Sequence, residues 1–304
     1  MIRNLRWAGV VLAVMLSWVA STATAQEYEI RLHRPLKVGQ KYGVSTTAHL
    51  SRSMTITAEK GLFGGQNEEF SVELECVVTV LEIDDKGRET KVSMAISKCV
   101  KIKGENKKDL VPKDAVVVAS QKGRKEQVFT IGEEPLGAEA QEALGSVVSL
   151  SKGGATDDEI LGTKDRKKVG DRWNINAAAA AKNLETEMPG IQEKNITGTT
   201  TLEGVVKVGG IECLKIAAEM TIEIPPIEGE VAAAMPEGLK VSKSTVEMRC
   251  VGVFPVDASM DRLEESIDEK VTLITELSPD PDTPGMVMQT IAQSRQTTKV
   301  TPME

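Results

Sequence analysis

Apolar and polar residues alternate with period two through most of the chain, which restricts it to folds whose strands turn one face to a core and the other to water. Val72, Leu74, Cys76, Val78 and Val80 share one parity. After the turn Asp84-Asp85-Lys86-Gly87, the residues Val92, Met94, Ile96, Val100 and Ile102 do the same. For both apolar sets to face one way, paired residue numbers must sum to an even number. A three-residue loop, Asp85-Lys86-Gly87 with Gly87 in the left-handed bulge position, meets this condition and sets Val80 opposite Val92 and Val78 opposite Met94. A second hairpin is written as Leu202 to Val208, the turn Gly209-Gly210, then Ile211 to Ile224, with Leu214, Ile216, Ala218, Met220, Ile222 and Ile224 on one face.

Further strands are expected at Tyr28 to Leu32, Lys41 to Ile56, Ala115 to Ala119, Gln127 to Ile131, Thr245 to Phe254 and near the C-terminus. Arg262 to Glu276 fits a strand or a helical stripe of Leu263, Ile267, Val271 and Ile274, and the β-branched end favours strand. Three helices are expected. They run from Gly137 to Leu150, from Asp157 to Leu161 as one capped turn, and from Ala177 to Met188 after Asn176 as N-cap. Their apolar stripes are short, so they pack on a sheet and form no domain of their own. Three prolines keep Ser278 to Gly285 out of regular structure. The fold class is mainly β, of α+β type, with a long curved antiparallel sheet or sheets and a few packed helices.

An internal repeat organises the chain. Leu36-Lys37-Val38-Gly39-Gln40-Lys41-Tyr42 and Lys167-Lys168-Val169-Gly170-Asp171-Arg172-Trp173 share Lys-Val-Gly, then a polar, a basic and an aromatic residue, and each precedes a long hairpin. Two similar β halves, 26–155 and 156–304, follow from duplication. The rival reading is a generic turn-into-strand phrase that occurs twice.

Residues 1–25 have the order of a secretory signal. Arg3 and Arg6 precede an apolar run from Trp7 to Val19, and Ala23-Thr24-Ala25 forms a small-x-small cleavage site before Gln26. The run is too short to span a bilayer, no Cys follows it to carry a lipid, and no second run of spanning length occurs. The mature chain is therefore expected to be soluble, without a stable membrane anchor, in the periplasm or outside the cell.

From Asp157-Asp158-Glu159-Ile160-Leu161-Gly162 through Val169-Gly170-Asp171-Arg172-Trp173 and the hairpin of Gly204 to Leu214, to Gly252-Val253-Phe254-Pro255-Val256-Asp257, the chain resembles exported β-rich proteins of unknown function from planctomycete-like bacteria. The resemblance covers roughly residues 150 to 275 and implies a bacterial extracytoplasmic β protein, with no activity attached. In pattern alone, a long antiparallel sheet with a few helices against it is similar to periplasmic lipoprotein carriers of the half-barrel type, though no residue motif supports this.

Composition narrows the function. The net charge of −8, and −10 once Arg3 and Arg6 leave with the signal, repels phosphate backbones and anionic lipid. Aromatics make up 3% of the chain, too few for base-stacking platforms or a sugar cleft. Of the 2 histidines, His49 would share a strand face with Ser51, and neither it nor His33 sits in a nucleophile motif. Asp157-Asp158-Glu159 reads as helix capping, Asp257 and Asp261 as a turn, and Asp280 and Asp282 lack the further oxygens of a calcium loop. No catalytic, cofactor or metal residue is assigned, and no cofactor is implied.

The 4 cysteines, Cys76, Cys99, Cys213 and Cys250, permit three disulfide connectivities or buried free thiols. Parity puts Cys76 and Cys250 on the apolar faces of their strands and Cys99 and Cys213 on the outer ones. Cys99 with Cys213, or Cys76 with Cys250, is then more natural than a bond between sequence neighbours. The expected function is a non-catalytic binding or structural module outside the cytoplasm, more consistent with no enzyme than with one. The alternatives are a periplasmic carrier of a lipid or other apolar ligand, which needs an unfilled apolar surface, and a hydrolase. The partner is an unidentified protein or an apolar small molecule, not nucleic acid.

Overall fold

The computed structural model describes residues 26–58, 61–123, 126–186, 188–225, 239–277 and 285–303. Residues 1–25, expected as a secretory signal, and most of the proline-rich loop, with Asp280 and Asp282, lie outside them. The strands are β1 (Lys41–Ala58), β2 (Gly61–Ile83), β3 (Glu89–Lys103), β4 (Asn106–Asp109), β5 (Val116–Lys122), β6 (Glu126–Ile131), β7 (Glu134–Pro135), β8 (Arg172–Asn174), β9 (Ile196–Val208), β10 (Ile211–Glu223), β11 (Leu239–Pro255), β12 (Glu264–Leu277) and β13 (Met286–Pro302). The helices are α1 (Ala138–Gly145), α2 (Asp157–Ile160) and α3 (Ala177–Leu184). Strand takes 61% and helix 9%, so the protein is mainly β, and residues 264–277 are strand.

All thirteen strands join one antiparallel sheet in the order β7-β6-β5-β3-β2-β1-β13-β12-β11-β10-β9-β8, with β4 beside β3. Followed as a ring, this is almost the order of the chain itself, opened between β7 and β8. The sheet is open, with β7 and β8 at its edges, and its middle is made by β1 and β13, which pair from Tyr42 opposite Pro302 to Ala58 opposite Met286.

The first hairpin has the expected register, with Val80 opposite Val92 and Val78 opposite Met94. Its loop is closed by hydrogen bonds from the Asp84 N–H to the Arg88 carbonyl and from the Gly87 N–H to the Asp84 carbonyl, with Gly87 at φ 77°. The Asp84 carboxylate accepts from the Lys86 and Arg88 N–H groups, each at 2.9 Å, and from the Ser151 hydroxyl at 2.8 Å. Further along, parity fails. Cys76 faces Ile96 but Glu75 faces Lys98, so Ser97 is an extra residue and β3 changes phase. Beyond this bulge Cys99 stands opposite Leu74 and is buried at 2% exposure, whereas Val100 and Ile102 turn to the other face. Cys76 and Cys99 therefore share one face, against the parity expectation.

One face carries the helices. Val72, Leu74, Val78, Val80, Met94, Ile96, Val117 and Phe129 form the larger core beneath Ala143 and Leu144 of α1 and the following Val147 and Leu150. The helix is fastened to the sheet by Gln141, whose amide accepts from the Phe129 N–H at 3.1 Å and donates to the Phe129 carbonyl at 2.7 Å. Gln127 does the same for residues 148–150, donating to the Val148 carbonyl and accepting from the Leu150 N–H. On the other half of the sheet Ile196, Ile222 and Val246 lie under Ala180 and Ala181 of α3. Asn176 caps that helix by accepting from the Ala179 N–H at 3.1 Å.

Residues 28–32, expected as a strand, are not one. Tyr28, Ile30 and Leu32 are buried against Leu202, Leu214, Ile216 and Phe254, but the segment touches the rest of the backbone ladder only through a bridge to Lys167. Alternation here reflects a chain lying across a sheet, not within it.

The two copies of the repeat phrase fold into the same turn. Gly39 has φ 86° and donates to the Val80 carbonyl, and the Val80 N–H donates to Gln40. Gly170 has φ 93° and donates to the Leu202 carbonyl, and the Leu202 N–H donates to Asp171. Even the side chains correspond, since Gln40 accepts from the Lys37 N–H at 3.1 Å and Asp171 from the Lys168 N–H at 2.8 Å.

Candidate functional site

The candidates with chemical potential in the sequence are mostly spoken for. His49 pairs with Ser71 across the strands, Nδ1 to Oγ 2.7 Å, not with Ser51, and the pair is exposed. The nearby Glu73 is held by Lys98 at 2.7 Å. His33 Nε2 lies 2.7 Å from the Lys86 carbonyl. Thr156 caps α2 and forms a capping box with Glu159, whose carboxylate accepts from the Thr156 N–H and from Lys86, each at 2.6 Å. Those contacts bring Glu159 down to about 2. Asp158 accepts from the Leu32 N–H at 2.6 Å, and Asp257 accepts from the Ser259 N–H at 2.9 Å in a turn. Among the described residues no group of three or more His, Cys, Asp and Glu side chains could hold a metal ion.

All four cysteines are free thiols. Burial is the first cause that pushes Cys76 up to about 12 and Cys99 up to about 11. Cys213 is on the face opposite the helices, as parity implied, yet it is fully buried there in a small cluster with Val253 and Leu263. Cys250 is half-buried opposite Ala218, with Sγ 3.5 Å from a Glu265 carboxylate oxygen.

What sequence reading missed is a groove of about 1280 Å³ across the middle of the sheet. Its floor is a cross-strand row in which Leu50 on β1 stands opposite Ser294, Ser294 opposite Glu269, Glu269 opposite Met248, Met248 opposite Met220, and Met220 opposite Gly198. These residues have the parity of the buried core, so the groove opens on the helix-bearing face. Ile175 and Ala177, at the start of α3, form one wall with Ile196. A side chain at position 198 would strike the Ile175 Cδ1 at 2.8 Å, so glycine there lets the wall close down on the floor. Six strands lie across the floor, a span of about 24 Å at the usual strand spacing. Leu50, Met220 and Met248 are only partly buried.

The opposite face differs in kind. There the neighbouring rows pair Arg295 with Asp268, Arg249 with Glu219 and with Glu203 at 2.6 Å, Lys215 with Glu203 at 3.0 Å, and Lys270 with Glu247 at 3.1 Å. Exposed pairs of this kind contribute little stability each, but they keep that face wet. A second hollow of about 1090 Å³ lies between residues 29–31, α2 and α3 and is bordered by Arg31, Lys86, Lys164 and Lys182 with Asp158 and Glu159.

One signal for the groove was present in the sequence. Glu269 interrupts the apolar parity of Ile267, Val271 and Leu273, which a strand packed on a filled core does not permit without a partner.

No family model and no curated protein matches the chain. Among solved structures, lipovitellin, in a study of lipid–protein interactions, is similar over 86% of this chain at 11% identity and TM-score 0.31, and the chain spans 26% of its length. OpdQ of Pseudomonas aeruginosa matches over 84% of this chain and 97% of its own, at 7% identity and TM-score 0.21. The outer membrane protein OprG of the same species has TM-score 0.17 at 6% identity. Scores of this size mark no shared fold. The groove itself is what bears on function.

Proposed function

We propose that the protein is a non-catalytic carrier that binds an extended apolar ligand, such as a single acyl chain, along the groove of the helix-bearing face. One observation carries this: the middle of a face that elsewhere is packed under α1 and α3 is left open over about 1280 Å³ and floored by Leu50, Met220 and Met248. Pockets for small ligands usually run from about 300 to 1,000 Å³ and are mostly apolar with a few polar groups. Methionine suits such a floor because its unbranched, polarizable side chain adapts to ligands of different shape. Beyond Arg52 the same parity carries Met54, Ile56 and Met288 toward the strand ends, all partly exposed.

In this reading the chain acts outside the cytoplasm once residues 1–25 are removed, and its sheet descends from two similar β halves. The matching turns at Gly39 and Gly170 support the second point. The carrier reading rests on geometry in place of reactive groups, and the exposed His49–Ser71 pair gives the hydrolase reading little support.

Native mass spectrometry of the purified protein should reveal co-purified lipid. A fluorescent long-chain probe should bind with saturation near one per chain, and Met248→Trp, which fills the floor, should weaken it at least tenfold while thermal unfolding stays cooperative. Saturable binding that Met248→Trp leaves unchanged would place the ligand elsewhere, and the absence of any binding would sink the reading.

A further inference from the structure

The floor of the groove holds one carboxylate that nothing answers. Glu269 stands between Ser294 and Met248, at the parity of Ile267 and Val271 and hence on the helix-bearing face. The basic residues bordering the groove, Arg249, Lys270 and Arg295, have the opposite parity and are committed on the other face to Glu203 and Glu219, to Glu247 and to Asp268. Among the described residues the Glu269 carboxylate takes part in no ion pair or hydrogen bond. Arg52, a basic residue of the same parity, is one row further along and two strands away, roughly 12 Å by strand spacing and rise. Its neighbour across the strands is Glu68, which Lys103 holds at 2.9 Å.

A carboxylate beside Leu50, Met220 and Met248 keeps its hydration only while the groove is wet. An apolar chain laid along the floor removes that water, and a charge so stripped is costly unless the ligand brings a partner. Resting on the carrier reading, we propose that Glu269 makes the groove selective for a cationic amphiphile, a single apolar chain ending in an ammonium group. The ammonium donates charge-assisted hydrogen bonds to the Glu269 carboxylate while the chain covers the methionines. A neutral head leaves the carboxylate unpaired, and a fatty-acid anion sets two like charges together.

The experiment uses three probes of equal chain length, dodecylammonium, dodecanol and dodecanoate, each competing at pH 7 with a neutral fluorescent long-chain probe. The wild-type protein should prefer them in that order. Glu269→Gln should weaken dodecylammonium at least about tenfold, about 1.4 kcal/mol, strengthen dodecanoate, and leave dodecanol within about twofold. Glu276→Gln supplies the control, since Glu276 lies on the same strand at the opposite parity and is exposed. It should change none of the three. Dodecanol binding with no preference among heads, or a Glu276→Gln effect equal to that of Glu269→Gln, overturns the role of Glu269 and leaves the carrier reading standing. Failure of all three probes to bind the wild type overturns both.

Discussion

The Tyr42 hydroxyl donates to the Glu89 carboxylate at 3.2 Å inside the sheet, near the start of β1 and β3. Burial is the first cause that raises both groups above their ordinary values, and Asp261 adds to each. The folded protein thus holds the Glu89 proton more tightly than the unfolded chain does. Its contribution to stability is present at acid pH and is lost as pH rises from the ordinary carboxylate value through the raised one. Glu89→Gln keeps an acceptor for Tyr42 and removes the titration. Urea midpoints between pH 4 and 8 should fall less steeply for this variant than for the wild type. Equal slopes would mean that the carboxyl does not titrate as its burial dictates.

Gln141 stands in for a strand residue, since its amide completes both backbone groups of Phe129 on β6. Gln141→Ala leaves the buried Phe129 N–H without a partner, while the carbonyl keeps the Leu136 N–H at 2.9 Å, and should cost about 2 kcal/mol in denaturant unfolding. Gln141→Glu retains only the acceptor and should cost part of that. A loss under about 0.5 kcal/mol would show that water replaces the amide.

The glycines at positive φ separate two kinds of cost. An added Cβ meets nothing within 4 Å at Gly39 or Gly170, so alanine there should cost only the backbone conformation, about 1 kcal/mol, and equally in both copies of the turn. At Gly87 the Cβ would fall 2.8 Å from the Pro35 Cβ, and alanine should cost clearly more. Thermal unfolding of the three variants tests the ranking.

Thiol counting should find four reactive groups in denaturant and a slow reaction in the native state. Cys76, Cys99 and Cys213 are buried, and burial holds the first two far from ionisation at neutral pH. Mass spectrometry without reductant that finds a disulfide would contradict the free thiols.

The parts of this fold legible in the sequence are those set by neighbours along the chain. Alternation marks β2, β3, β9 and β10, and turn chemistry fixes Val78 opposite Met94. Parity propagates only as far as the next bulge. The extra residue Ser97 costs one register step and carries Cys99 from one face to the other, and nothing in its composition announces it. The groove was illegible for a different reason. Its row from Leu50 to Gly198 exists only because β1 lies beside β13, a pairing of chain ends that no local pattern encodes. Glu269 alone left a trace, as a charge at an apolar parity.

That same pairing of β1 with β13 sets the order of folding. The first long strand made is flanked on one side by the last, so its edge stays bare until residue 302 has emerged from the ribosome. Contacts that far apart close late, because loop entropy must be lost before any hydrogen bond forms across the seam. Until then β1 offers an unprotected ladder of seventeen pairing positions to any other extended chain. A protein built this way needs to be kept from its own copies during synthesis, and its refolding should be slow, and dependent on concentration once the open edge finds a second molecule before it finds β13.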